Sequence, residues 1–156
     1  MQLYFEDYLL NLKELHNDIL KTLEDLSPAA LDWSPAPEVN SINVLVVHTM
    51  GAQRFLIGEV VAGEPSTRDR DAEFKVRGLD AETLTQRLNQ NYEYIHSVLD
   101  GLSVDDLASR RDFRGRDTSV AWILDHALKH TATHMGHIQL MRQFWEMYGQ
   151  TDNKDG

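Results

Sequence analysis

The stretch Asp125-His126-Ala127-Leu128-Lys129-His130-Thr131-Ala132-Thr133-His134-Met135-Gly136-His137 carries four of the chain's seven histidines. An α-helix turns about 100° per residue, so offsets of 0, 4, 8 and 11 fall at roughly 0°, 40°, 80° and 20°. On a helix, His126, His130, His134 and His137 therefore share one narrow stripe. Ile123, Met141 and Phe144 lie on or beside it, which predicts that the stripe faces a core. Imidazoles in an apolar interior are costly unless their nitrogens find partners. A helix with such a face needs other helices around it, and a metal ion is the simplest partner for the nitrogens.

The same periodicity runs through the rest of the chain. Phe5, Tyr8, Leu12, Leu15, Ile19, Leu23 and Leu26 recur at spacings of three and four across residues 2–26, one face of an amphipathic helix. Ser27-Pro28 supplies a cap and a first-turn proline for a short helical turn reaching Trp33, and Ser34-Pro35-Ala36-Pro37 breaks it. A second long helix is expected from Asn40 or Ser41, both good caps, to near Glu59. Gly63 to Gly78 lacks apolar periodicity and reads as a crossover of about fifteen residues. Asp80 caps a third helix with an inner stripe of Leu84, Leu88, Asn91, Ile95 and Val98. Ser103-Val104-Asp105-Asp106 resembles a capping box opening a short helix. Arg110 to Asp117 reads as a loop, and Thr118 leads into a last helix ending near Tyr148.

Strand signals are weak throughout. The expected fold is all-α: one domain over residues 1–150, a four-helix bundle with a long crossover between helices two and three and short extra helices. Residues 151–156 are expected to form a disordered polar tail, with fraying from Gln150. A faint repeat fits two helical hairpins. Leu26-Ser27-Pro28-Ala29-Ala30-Leu31 parallels Leu102-Ser103-Val104-Asp105-Asp106-Leu107, and each is followed by Ser-x₆-His, at Ser41–His48 and Ser119–His126. Duplication and chance are equally good readings of so few matches.

A net charge of −10, from 25 acidic and 15 basic residues, would repel a polyanion, so nucleic acid and anionic membrane are disfavoured as partners. The chain has no cysteine, which removes disulfides, thiolate metal sites and cysteine nucleophiles. Acids in Met1-Gln2-Leu3-Tyr4-Phe5-Glu6-Asp7 argue against a signal peptide, and Val44 to Val47, the longest strongly apolar run, is too short to span a bilayer. A cytoplasmic protein acting on a small molecule is the default expectation. A homodimer is a further expectation, through exposed aromatics such as Trp145 and Tyr148.

One ion cannot take all four histidines of the stripe. His126 and His137 lie about 16 Å apart along a helix axis, whereas zinc–nitrogen bonds are about 2.0–2.1 Å. Pairs spaced i and i+4 can converge on one ion, and both 126/130 and 130/134 qualify. The second helix offers His48, flanked on its own side by Val44, Leu45, Ala52 and Phe55 and so expected to point inward. Three imidazoles from two helices, with a position open to water, have the composition of a catalytic metal centre. His16 and His96, with charged or polar neighbours, read as ordinary residues.

These features resemble the DinB/YfiT-like superfamily of four-helix metalloproteins. Asn40-Ser41-Ile42-Asn43-Val44-Leu45-Val46-Val47-His48 is similar to its helix-two signature. His126 to His134 is similar to its last-helix signature, and Leu31-Asp32-Trp33-Ser34-Pro35 to its lead-in. The resemblance implies metal ligands at His48, His130 and His134, choosing the 130/134 pair. It implies a divalent ion, zinc or nickel foremost, and a thiol-dependent transferase using a low-molecular-weight thiol or a metal-dependent hydrolase. A non-catalytic ion clamping the helices together is the alternative. Where many members carry Arg-Gly-Gln after the last ligand, this chain has Met135-Gly136-His137, which resembles the thiol-transferase-like YfiT branch.

His126 and His137 are candidate supports or proton relays, with hydrogen-bonded core filler as the competing reading. Asn91 reads as a buried structural hydrogen bonder that could face the site. Gln53 and Arg54 line either a site mouth or solvent. Arg110, Arg111, Arg114 and Arg116 form a solvated run or a receiver for an acidic thiol. Gly136 is expected to permit close packing.

Overall fold

The computed structural model describes residues 1–149; the predicted polar tail lies outside them. Four long helices form the bundle: α1 (Leu3–Leu23), α3 (Ile42–Gln53), α5 (Ala81–Asp100) and α6 (Val120–Phe144). Short α2 (Pro28–Asp32) and α4 (Arg70–Glu73) lie in the connections. α3 continues as π-helix over Arg54–Val61, and α6 over Trp145–Gly149. Helix α1 packs on α5 and α6, and α3 packs on the same two, so each long helix touches two neighbours.

Local chemistry places the ends. Ser27, Ser41, Asp80 and Ser119 each accept a backbone N–H of the following first turn, from Ala30, Val44, Thr83 and Trp122. Ser103 and Asp106 form the expected capping box, on a 3₁₀ turn at Val104–Ala108. The sequence repeat noted above is thus, at least in part, a repeat of caps. Asp25, at φ +62°, turns the chain into the left-handed region just past α1 and stops it there.

Two apolar clusters fill the bundle, separated by a polar layer. One gathers Phe5, Leu12, Ile57, Ile95, Leu99 and Ile123; the other gathers Ile19, Leu23, Ile42, Leu84, Leu88 and Ile138. Between them Gln53 of α3, 1% exposed, links all four long helices. Its Nε2 donates to Thr131 Oγ1 of α6 at 2.8 Å, and its Oε1 accepts from Asn91 Nδ2 of α5 at 2.6 Å. His16 Nε2 of α1 lies 3.0 Å from the same amide nitrogen. Burial holds His16 down to about 4, so the ring is neutral and its Nε2 accepts from Gln53. Thr131 Oγ1 donates onward to the Ala127 carbonyl, and Arg54 Nε donates to Asn91 Oδ1.

Four expectations change. His16, read from the sequence as an ordinary residue, is 2% exposed and belongs to this layer, while Leu15 is only half-buried. Gln53 lines neither mouth nor solvent. In α5 the buried position near the end is Leu99, with Val98 half-buried. Asn91 is the structural hydrogen bonder expected.

The segment from Arg110 to Asp117 is a β-hairpin rather than a loop. Strands β1 (Arg110–Phe113) and β2 (Arg116–Ser119) pair antiparallel with Phe113 opposite Arg116. Arg114 and Gly115 form the two-residue turn, both at positive φ (57° and 77°), which matches the twist of a hairpin. Phe113 anchors the hairpin against Phe55 and Trp122. The strands escaped notice because each buries one side chain, Phe113 or Thr118, among charged ones.

The helical run Ile42–Val61 is, by length and composition, apolar enough to cross a membrane, contrary to the expectation drawn from Val44 to Val47 alone. It is 67% buried within the bundle over its apolar window, which accounts for its composition. Trp145, expected exposed, packs edge-on against Trp33 with ring centroids 5.8 Å apart; Tyr148 is exposed. Gly136 is exposed with nothing near its Cβ position, so close packing does not explain it.

Candidate metal centre

Helices α3 and α6 pack along their lengths, and this brings His48 against His130 and His134. One ring nitrogen from each lies within 4.8 Å of the others. Ring centroids are 5.2 Å apart for His48–His130, 5.0 Å for His48–His134 and 4.5 Å for His130–His134. Two nitrogens at about 2.0–2.1 Å from one ion are at most about 4.2 Å apart, so a slight inward turn of the rings closes the set. No fourth histidine or carboxylate joins the group among the described residues.

The rings are held in the form a metal needs. Burial, and then the neighbouring imidazoles His134 and His48, hold His130 at about 4; burial and His48 do the same for His134. Burial also lowers His48, against an opposing pull from Glu73. Neutral imidazoles have a lone pair to give. The Nδ1 of His130 is buried with no hydrogen-bond partner in the structure, a ring short of an acceptor or an ion. Donor type, neutrality and spacing fit a divalent cation.

A carboxylate orients the first ligand. His48 Nδ1–H donates to Glu73 Oε2 at 2.9 Å, which leaves Nε2 for coordination. Glu73 is itself clamped by Arg68, whose Nε and Nη2 donate to its two oxygens at 2.6 and 2.8 Å. Both come from the crossover: Glu73 ends α4, Arg68 precedes it, and Asp69 between them caps the Ala72 N–H. Gly51 of α3 admits the carboxylate: a Cβ there would overlap Glu73 Oε1. Sequence reading missed Glu73 and Arg68, since a four-residue helix shows no periodicity. The available signal was Asp69-Arg70-Asp71-Ala72-Glu73, a cap followed by first-turn acids inside an otherwise irregular segment.

The stripe does not point into the core as expected. His126, His130 and His134 are half-buried, the first two lining a cleft, and His137 is exposed. His126 stands apart from the three: its ring stacks on Trp122 (4.9 Å, 8°) and lies 6.4 Å from His130. Its Nδ1 is buried without a protein partner among the described residues. His137 Nδ1 lies 3.4 Å from His134 Nδ1, beside the ligand set and open to solvent. The cleft, about 150 Å³, is lined by His48, His126, His130, Phe55, Phe113 and the arginines Arg68, Arg70 and Arg114.

Two outcomes follow from this geometry. Glu73→Ala should weaken metal binding about 10–100-fold, as removal of a ligand's orienting carboxylate does. It should also cost about 1–3 kcal/mol of stability, because Arg68 loses its partner but can swing toward water from the crossover. Metal titration and thermal melts of the variant check both. Second, the depressed His16, His130 and His134 set a pH dependence. Below about pH 6.5 the unfolded chain takes up protons that the folded chain refuses until about pH 4. Stability of the chelator-treated protein should therefore fall as pH drops through that window. A melting temperature that stays flat from pH 7 to 4.5 would contradict this charge state.

The fold matches known structures. A conserved protein from Enterococcus faecalis superposes with a TM-score of 0.77 at 18% identity, over 92% of this chain and 96% of that one. A DinB-like protein from Bacillus cereus gives 0.73 at 18% identity, over 88% and 90%. No curated protein matches the sequence. Residues 11–138 match the family model of the DinB superfamily. That span includes all three connections between the long helices and all three converging histidines, and the chain belongs to the DinB superfamily.

Proposed function

We propose that this protein is a metal-dependent enzyme acting on a small molecule, with His48, His130 and His134 holding one divalent ion, zinc or nickel. The observation that carries this reading is a set of three neutral imidazoles with one nitrogen each inside 4.8 Å, closed on the α3 side by Glu73 and open on the cleft side. A clamp that only joins α3 to α6 would be expected to complete its ligand set with protein groups; here none completes it among the described residues. A bound divalent ion supplies Lewis acidity, making water or a thiol acidic enough to ionise near neutral pH.

The chain's own residues do the rest. Glu73 and Arg68 fix the tautomer and angle of His48. Phe55, Phe113 and Leu56 restrict water on one wall of the cleft. His126, with a free buried nitrogen on that wall, can take a proton released near His130, and His137 can pass one from His134 to solvent. The reaction is transfer of a low-molecular-weight thiol to an electrophile, or hydrolysis; the His137 position favours the thiol. We place the protein in the cytoplasm.

The test is a turnover screen of metal-loaded protein, with small thiols paired with electrophiles in one panel and esters and amides in the other. Metal-dependent turnover in either panel is expected, and its loss on chelation. A protein that binds stoichiometric metal yet turns over nothing in both panels would shift the balance to the clamp.

A further inference from the structure

The cleft beside the three histidines carries two positive charges that no described residue pairs with. Arg68 is spoken for by Glu73. Arg70 and Arg114, which line the same cleft, make no hydrogen bond or ion pair among the described residues. Of the carboxylates nearest in sequence, Asp69 accepts the Ala72 N–H and Asp112 the Gly115 N–H, and neither these nor Asp71 forms an ion pair with Arg70 or Arg114. Each guanidinium instead lies over an aromatic ring, Arg70 over Phe74 at 4.8 Å and Arg114 over Phe113 at 5.3 Å. Stacking on a ring restrains the group while leaving its N–H donors free in the ring plane.

The two arginines arrive from different elements. Arg70 opens α4 in the crossover, and Arg114 sits at the hairpin tip, where its positive φ is part of the turn. In a chain of net charge −10, two unpaired cations meeting at one small cleft focus field on whatever enters. Phe55, Leu56 and Phe113 add apolar and aromatic surface to the same cleft.

We infer that this cleft selects a small anionic substrate, an acid group (carboxylate, phosphate or sulfonate) held by Arg70 and Arg114 with an apolar portion against Phe55 and Phe113. The inference rests on the metal-dependent reading for what happens to that substrate, and not for how it is bound. A volume of about 150 Å³ admits the acid group and its near neighbours, with the remainder of a larger molecule left outside. Arg70 and Arg114 are exposed, yet guanidinium–anion contacts are among the stronger hydrogen bonds, and two of them give about tenfold discrimination against a neutral isostere.

The test is calorimetric titration of the zinc-loaded full chain with phenylacetate and with neutral phenylacetamide, with zinc content measured on the same samples. Phenylacetate is expected to bind about tenfold tighter or more. The double variant Arg70→Gln/Arg114→Gln should lose that preference, with phenylacetamide binding and zinc content unchanged. Arg87→Gln, on exposed α5 surface, should alter neither ligand. Equal binding of the two ligands, no binding of phenylacetate, or a preference that survives in the double variant overturns the inference; the last would mean that the ion alone holds the acid. An equal loss in Arg87→Gln overturns it too, since net charge would then suffice. An arginine-dependent preference in protein that takes up no zinc would keep this inference and defeat the metal reading.

Discussion

His130→Ala is expected to leave the protein without stoichiometric metal after purification and dialysis, while His16→Ala keeps it. His130 is central to the set: its ring lies 4.5 Å from His134 and 5.2 Å from His48. Removing it leaves two imidazoles, one from each helix, and no nearby carboxylate or histidine to replace it among the described residues. The loss should exceed the about 10–100-fold expected for an orienting group such as Glu73. His16 is as buried as any histidine in the chain, yet it faces Gln53 and not the site. Its variant should lose stability without losing metal. Elemental analysis beside thermal melts separates the two effects. Equal metal retention by both variants would remove the ligand assignment.

Gln53→Ala should be the most destabilising single change outside the apolar core, by about 3 kcal/mol, or roughly 6–12 °C in melting temperature. The truncation strands Asn91 Nδ2, Thr131 Oγ1 and His16 Nε2 in a layer that is 0–2% exposed. Each partner left unsatisfied costs about 1–3 kcal/mol, offset where the Ala127 carbonyl still receives the Thr131 hydroxyl. Gln53→Leu should do little better, since it restores volume and no hydrogen bonds. Stability lost by less than about 1 kcal/mol in chemical denaturation would mean that water satisfies the layer as well as the glutamine does.

Much of this architecture was legible from residue order. Helix periods, serine and aspartate caps and the long crossover are local signals, and each was found near its predicted place. The metal set was legible in a different way. Spacing reduced the stripe to two pairs, and family resemblance chose between them; the structure groups His130 and His134 with His48 and leaves His126 stacked on Trp122.

The contacts that residue order did not reveal share one cause. His16, Gln53 and Asn91 are polar residues whose burial depends on meeting each other across the bundle, from positions 37 and 38 residues apart in sequence. Glu73 is an unremarkable acid until α4 lays it beside Gly51 and His48. Arg114 is exposed, as a solvated run would be, yet a tight turn carries it to the rim of the cleft. Periodicity and capping act within a turn or two of helix, so the order of residues alone decided the helices, their ends and the imidazole inventory. Partners for buried polar groups are chosen by close approach between distant segments, so only tertiary packing decided which histidines converge, which carboxylate holds them and which cations stay unpaired.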